Sequence, residues 1–456
     1  MHRATFCTAV VLLAAAVPAA AQEPPVSRLV PELIASAAVI GRGETGDHRE
    51  HFLPGLSTLG VIHELNRSIA LQAAGFPLGP VSPVVSSRGR SGTEQPALFG
   101  AGYTQTAFGL GPKRLLFSVS YQTTTFDTFD DLDLRDSPIH LYIPHAPVTG
   151  DDSDRDMLHQ VVSLRLNRKT VAFALNYGVG PRIDLGVVLP VVQVAAEARV
   201  TTHIVRTASA QNPAVHEFDI IDRANRTFPR YCSDQEVPAP SQTSLECAGS
   251  STARGIGDLL FRGKFALVNA SATALAFSVD VRLPTGDADE LIGLGATQVT
   301  PALAWSLDAG RIGARARAEY TWSEGDLSSR LAEGAEGLDL NVPDEIGLGI
   351  GIDADIAPRT TLALDVLGRR TTNMRQFSTG TLVFPGRGPG AAPADFIGED
   401  ALVQGDTRTL TQVMAALGLR FDVPGGVVAQ VSALIPVSGG GLQPQSMAVF
   451  SLTKRY

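Results

Sequence analysis

Over residues 255–287 the apolar side chains recur at every second position. Leu259, Phe261, Phe265 and Leu267 share one parity, with Arg262, Lys264 and Ala266 on the other. After a turn near Asn269, Leu275, Phe277, Val279, Val281 and Leu283 alternate with Ala274, Ala276, Ser278, Asp280 and Arg282. A period of two belongs to the β-strand, whose side chains point to opposite faces in turn. One face is continuously apolar and the other is small or charged. Each run is long enough to cross a bilayer, which takes about 9–11 tilted residues. The stretch reads as one hairpin of a transmembrane β-barrel.

The pattern continues on both sides. Leu115, Phe117, Val119 and Tyr121 alternate with Leu116, Ser118, Ser120 and Gln122. Val162, Leu164 and Leu166 are apolar on even numbers, and Val171, Phe173, Leu175 and Tyr177 on odd ones. The change of parity around Asn167-Arg168-Lys169 predicts a bulge in one long strand, with a tight turn as the alternative. Further strands are expected over 97–109, 183–205, 297–308, 312–322, 345–356, 360–370, 410–422, 427–437 and 447–456, with a weak one near 81–91. The connections fall into two classes that alternate along the chain. LGPKR, VGPRI, NASAT, DAGRI, APRTT and VPGGV are tight turns; the other connections, including 126–157, 207–254 and the Gly/Pro-rich 377–405, are long and polar. Short turns at one end and long loops at the other form the pattern of an outer-membrane barrel, here of about 14 antiparallel strands.

The first eighty residues do not alternate. Residues 9–17 are apolar after His2 and Arg3, and Ala19-Ala20-Ala21 precedes Gln22, as in a secretion signal cleaved near Ala21. Residues 22–52 are irregular. Over 57–74, Leu59, Ile62, Ile69 and Ala73 lie on one helical stripe, with Ser57 as a cap and Pro77 beyond the end. Such a helix can plug the lumen or pack beneath the barrel on the periplasmic side; the sequence leaves both open. The expected organisation is a signal peptide (1–21), an N-terminal periplasmic or plug segment with a short helix (22–80), and an all-β barrel (81–456). The mature chain has no run of eighteen apolar residues, so a transmembrane helix is not expected.

Composition narrows the function. The chain has 456 residues, is 44% hydrophobic and 18% charged, and carries a net charge of −9, which argues against a nucleic-acid partner. Three cysteines are present; Cys7 leaves with the signal, and Cys232 and Cys247 are expected to pair in an oxidising compartment and staple the long loop. Two cysteines without a nearby histidine make an incomplete metal site. His48 and His51 lack a third ligand. The acidic loop 126–157 lacks the Gly and Glu of a helix-loop-helix calcium site. No G-x-S-x-G elbow or phosphate-binding glycine loop occurs, and His140, His145, His159 and His203 are rim candidates for a hydrolase by position alone. No catalytic, cofactor or metal residue is assigned, and the chain is not expected to be an enzyme.

If apolar faces point to lipid, the opposite faces line the lumen. They carry Arg262, Arg282, Arg315, Arg317, Glu319, Glu345, Asp353 and Asp355. Opposed basic and acidic rows would create a transverse field that orients a polar solute. The other reading is that they are cross-strand pairs satisfying one another in a wet interior.

GIGDLLFRGKFAL, followed by a strand ending in Leu283-Pro284-Thr285-Gly286-Asp287, resembles a family of outer-membrane barrels associated with the meta-pathway of phenol degradation, near the channels for fatty acids and aromatic hydrocarbons. YGVGPRIDLGVVLPVV, residues 177–192, is similar to the preceding hairpin of that family. The resemblance covers roughly 177–320 and implies porin-like passive uptake of small hydrophobic or aromatic compounds. Terminal Tyr456, with Phe450 and Leu452 at steps of two, resembles the signal read by the barrel-assembly machinery; Lys454 departs from it. The expected location is the bacterial outer membrane. The expected partners are outer-membrane lipid, that machinery and hydrophobic solutes. The alternative is a non-transporting barrel that displays surface loops.

Overall fold

The computed structural model describes residues 24–38, 52, 56–76, 103–130, 132–135, 139–145, 156–205, 232, 244–325, 341–384, 395–405 and 409–456. The signal segment, His48, His51 and the weak strand at 81–91 lie outside them.

Two helices, α1 (Leu29–Ser36) and α2 (Leu56–Ala74), precede the sheet. The strands are β1 (Leu115–Phe129), β2 (Leu132–Asp133), β3 (Ile139–Pro144), β4 (Met157–Gly178), β5 (Ile183–Val205), β6 (Ser244–Ile256), β7 (Leu259–Asn269), β8 (Thr273–Leu283), β9 (Thr297–Ala309), β10 (Ile312–Glu324), β11 (Glu345–Ala357), β12 (Thr360–Thr372), β13 (Phe377–Phe384), β14 (Phe396–Gln404), β15 (Thr409–Val423), β16 (Val427–Gly439) and β17 (Leu442–Arg455). Antiparallel pairing runs from β1 to β4 and β5, through β7 to β12, then through β15, β16 and β17 back to β1. Register across the closing seam includes Tyr121 opposite Phe450 and Phe117 opposite Lys454. The ring is a closed antiparallel barrel of 12 strands, with β2, β3, β13 and β14 outside it; of the 14 expected strands, the one over 97–109 enters no ladder in its described part and the weak one near 81–91 lies outside the described residues. The 377–405 region is not a plain loop: β13 and β14 form a hairpin that meets β3 at Ala401 and His140.

The tight turns all lie at one end of the barrel, which is therefore the periplasmic one. Outward faces across the belt are apolar and exposed, among them Phe117, Phe173, Leu185, Phe261, Phe277, Trp305, Ile350, Leu364 and Leu452. A barrel in lipid has no other way to satisfy both its backbone and its surface.

The parity change at Asn167–Lys169 has a different cause from the one expected. β4 pairs without a register shift along its whole length, with β5 from Met157–Val205 to Gly178–Asp184. Its even-numbered side chains face inward throughout. What changes is the surroundings. Near the periplasmic end the outward face is apolar (Val171, Phe173, Leu175, Tyr177); further up the inward face is apolar instead (Leu158, Val162, Leu164, Leu166). β5 does the same, with Val187 and Val191 outward below and Val192, Val194 and Val200 inward above. The two strands leave the bilayer at this level and continue as a wall around an apolar filling.

A bulge does exist, one lane further. β6 and β7 occupy the same lane beside β5, yet Val191 faces Ile256 while Val188 faces Leu260. One extra residue sits between, at Gly257-Asp258, and it swaps the faces: even positions point outward in β6 and odd ones in β7.

The expected strand over 97–109 does not form in its described part. Residues 103–110 enter no ladder. Their short side chains and amides are buried against the inner wall instead, with Thr104, Gln105, Thr106 and Ala107 all at most 5% exposed.

Candidate functional site

The inner wall carries polar groups on β4, β5 and β7–β12, and the N-terminal segment meets them. Asn66 Nδ2 donates to Ser27 O at 2.8 Å, joining α2 to the turn before α1. Ser251 on β6 donates to Pro24 O at 2.6 Å and Gln160 on β4 to Ile34 O at 3.0 Å. Arg168 on β4 donates to Ala73 O at the end of α2. Gln412 on β15 donates to Gln72 at 3.1 Å, and Arg369 on β12 to Gly75 O at 3.2 Å. Further along, Lys264 donates to Phe108 O at 2.7 Å, and both oxygens of Asp184 accept from Leu110 N at 3.1 Å. Ser306 accepts from Ala107 N at 2.9 Å. Charged and amide side chains of the wall thus satisfy backbone groups of a segment that would otherwise be buried unpaired.

Apolar packing completes the contact. Val26, Leu29, Leu33, Ile34, Phe52, Ile62, Leu65, Ile69 and Phe76 form one buried cluster with Leu158, Leu164, Leu166, Val192, Val194 and Val200 of the wall. A small crevice remains inside it, bounded by Val26, Val30, Ile69, Leu166 and Leu291.

The motif around the bulge fastens this filling. Asp258 is 7% exposed, and its carboxylate accepts from Gly286 N at 3.0 Å and Leu294 N at 2.8 Å. Thr285 Oγ1 donates to Gly257 O at 2.8 Å and accepts from Leu259 N at 2.9 Å. Gly286 and Gly293 face each other so closely that a Cβ on Gly293 would lie 2.7 Å from the Gly286 backbone. The segment 287–294 is held against the wall, and it receives the N-terminus: Ser27 N donates to Asp289 O at 3.0 Å and Val26 N to Glu290 at 3.1 Å.

The charged residues singled out in the sequence lie as follows. Arg262 pairs with Asp280 through both nitrogens at 2.6 and 2.5 Å. Arg317 reaches Asp280 at 3.3 Å, Glu319 at 2.7 Å and Gln105. Arg315, 2% exposed, bridges Asp353 at 2.8 Å and Asp365 at 3.1 Å. Glu345 lies 3.7 Å from Arg369, and Asp355 accepts from Thr361 at 2.9 Å. Arg282 has no ion pair among the described residues. These contacts run within a strand, between strands one or two places apart, or to the threaded segment. Sequence reasoning missed Asp184, Lys264, Arg168 and Asp258 as partners of the N-terminal region. Arg168 carried a signal, since on inward parity it faces Thr124 and Val194 and no opposite charge; Lys264 and Asp184 face each other and gave none.

Cys232 and Cys247 form a disulfide. Cys247 is not in the loop as expected but on the buried face of β6, opposite Val200. The Cys232 sulfur also lies 3.7 Å from Ser36 O, at the end of α1.

On the outer face above the belt, His140, His159 and His203 form a row with Tyr142. His140 Nδ1 and His159 Nε2 are 2.9 Å apart, and the Tyr142 and His159 rings stack at 4.5 Å. Burial, then His140 and His203, push the His159 imidazole down to about 4. Tyr142 also meets Phe384 and Phe396 of the β13–β14 hairpin and donates to Glu399 O at 2.9 Å. His145 lies elsewhere, edge-on to Phe52 at 5.0 Å. No group of three metal-capable side chains converges among the described residues.

No curated protein sequence matches the chain. Among solved structures, the COG4313 outer membrane channel from Pseudomonas putida F1 is 12% identical, covers 77% of this chain and 98% of its own, and superposes with a TM-score of 0.40. A Pseudomonas aeruginosa FadL homologue is 13% identical, with 75% and 90% coverage and a TM-score of 0.31. The CymD monoaromatic hydrocarbon channel is 9% identical, with 76% and 89% coverage and a TM-score of 0.34. The sequence family described as "Putative MetA-pathway of phenol degradation" matches residues 160–337, a span that holds both YGVGPRIDLGVVLPVV and the Gly257-Asp258 and Pro284–Asp287 latch.

Proposed function

We propose that the chain is an outer-membrane channel for passive entry of small hydrophobic or aromatic compounds, with the N-terminal segment as the plug of its lumen. The observation that carries this is the apolar inner wall above the bilayer. A water-filled pore for polar solutes has a polar interior. Here Leu158, Val162, Leu164, Leu166, Val192, Val194 and Val200 face inward and pack on helices of the same character. A solute that displaces part of that packing must itself be apolar, because a polar one would lose its hydration without hydrogen-bond replacement. Side-chain hydrogen bonds such as Gln412 to Gln72 join the plug to the wall, and passage of a solute requires some of them to part.

The test is uptake of a radiolabelled monoaromatic hydrocarbon by cells carrying the chain. Wild type should exceed the empty-membrane control. Gln72→Cys with Gln412→Cys should lose that excess under oxidising conditions and regain it on reduction. No uptake by the full chain, reduced or oxidised, would point to the alternative, a barrel that only displays its loops. Uptake unaffected by the cross-link would show that the plug does not move.

A further inference from the structure

The outer faces of β4, β5 and β6 change character within one row of the ladder. The last apolar row is Tyr121, Val171, Val191 and Ile256, paired Cα to Cα across β1, β4, β5 and β6. The next outward row is Thr123, Lys169, Gln193 and Arg254. Lys169 and Arg254 are exposed and flank a half-buried Gln193. Among the described residues neither cation has an ion pair. Two outward rows higher on β4, Arg165 is exposed as well.

This placement is unlike that of the other cations. Inside the barrel, Arg262, Lys264, Arg315, Arg317 and Arg420 are all engaged by carboxylates. Higher on the outer wall, Arg199 is paired with Glu246. Lys169 and Arg254 instead stand on either side of Gln193 at the rim of the hydrocarbon, which is the depth of lipid phosphates. The end with long loops faces outward, so the leaflet concerned is the outer one.

We propose that Lys169, Gln193 and Arg254 dock the phosphorylated headgroup of an outer-leaflet glycolipid. The two cations sit two strand spacings apart, about 10 Å. That separation suits a sugar headgroup with phosphates at separated positions better than a single phosphodiester. The Gln193 amide between them can both donate to and accept from sugar hydroxyls. The bond type is the charge-assisted contact of ammonium and guanidinium with phosphate. The lipid's acyl chains would then lie on Val171, Val191 and Ile256 directly below.

The site is tested on the purified full-length protein in nanodiscs, by native mass spectrometry with lipid A added. Wild type should retain lipid A, and Lys169→Ala with Arg254→Ala should retain it on the order of tenfold more weakly. Arg182→Ala, in a periplasmic turn, should bind as wild type does. Unmodified protein with enzymatically dephosphorylated lipid A supplies a measurement that needs no variant, and it should show the same loss. Equal retention of the dephosphorylated lipid, or of phosphatidylglycerol, would overturn the proposal, as would a loss of less than twofold in the double variant.

Discussion

Replacing Asp258 by Ala tests whether the Gly257-Asp258 and Pro284–Asp287 motif is a mechanical latch. The carboxylate accepts two backbone N–H groups, from Gly286 and Leu294, in a nearly buried setting. Hydrogen bonds to a charged acceptor contribute about 1.5–3 kcal/mol each, and a buried donor left without a partner costs about 1–3 kcal/mol. Partial relaxation at the bulge offsets some of this, so Asp258→Ala should cost about 3 kcal/mol. Asp258→Asn keeps one acceptor oxygen and should cost about half as much. The assay is urea unfolding in lipid vesicles followed by tryptophan fluorescence, with amide exchange at Ser27 as a local readout. Ser27 N donates to Asp289 O, so loosening the latch should raise its exchange. Equal effects of Ala and Asn, or a cost below about 0.5 kcal/mol, would refute the latch, because neither donor would then depend on the carboxylate.

Other expectations follow from the same contacts. Gly293→Ala would place a Cβ 2.5 Å from Asp258 Oδ1, and this overpacking should cost about 1–3 kcal/mol in the same unfolding assay. Arg315→Ala strands Asp353 and Asp365 in a dry site and should destabilise by about 3–5 kcal/mol, whereas Arg315→Met with Asp353→Leu and Asp365→Leu should be close to neutral; unfolding midpoints decide. The His159 imidazole is depressed in the folded state, so the unfolded chain takes up a proton first as pH falls. Attachment of β3 and the β13–β14 hairpin should therefore weaken from about pH 6.5 down to about 4, as read by amide exchange along β3 and β14, and His159→Phe should reduce the dependence, leaving the part due to His140, which burial also lowers.

The belt was legible because lipid imposes one rule on every strand that crosses it. Apolar side chains at steps of two, with tight turns at one end, marked β7 to β12 and β15 to β17 almost to the residue. The region above the belt followed a different rule, in which the apolar side is the inner one. In β4 the two rules met at Lys169 and imitated a bulge that the ladder does not contain. The real bulge was hidden because Gly257-Asp258 lies between runs whose faces had never been compared. β13 and β14 went unseen because Gly380, Gly398 and the Pro/Gly connection diluted the alternation. Parity alone puts the inward charges on the face opposite the apolar one. The partners of those charges are side chains on nearby strands, as the cross-strand reading allows, whereas Arg168 and Lys264 also reach backbone groups far away in sequence, at Ala73 and Phe108.

The two-storey wall of β4 and β5 bears on how the molecule is assembled. Above the belt, Leu158, Leu164, Val194 and Val200 share one buried apolar cluster with the N-terminal helices. A sheet closed around an empty upper lumen would leave those faces against water. The segment that covers them precedes the strands in the chain and sits inside a ring whose seam joins β1 to β17. The helices must therefore be captured before or as that seam forms, and a barrel closed without them would be an early casualty of quality control rather than a more open pore.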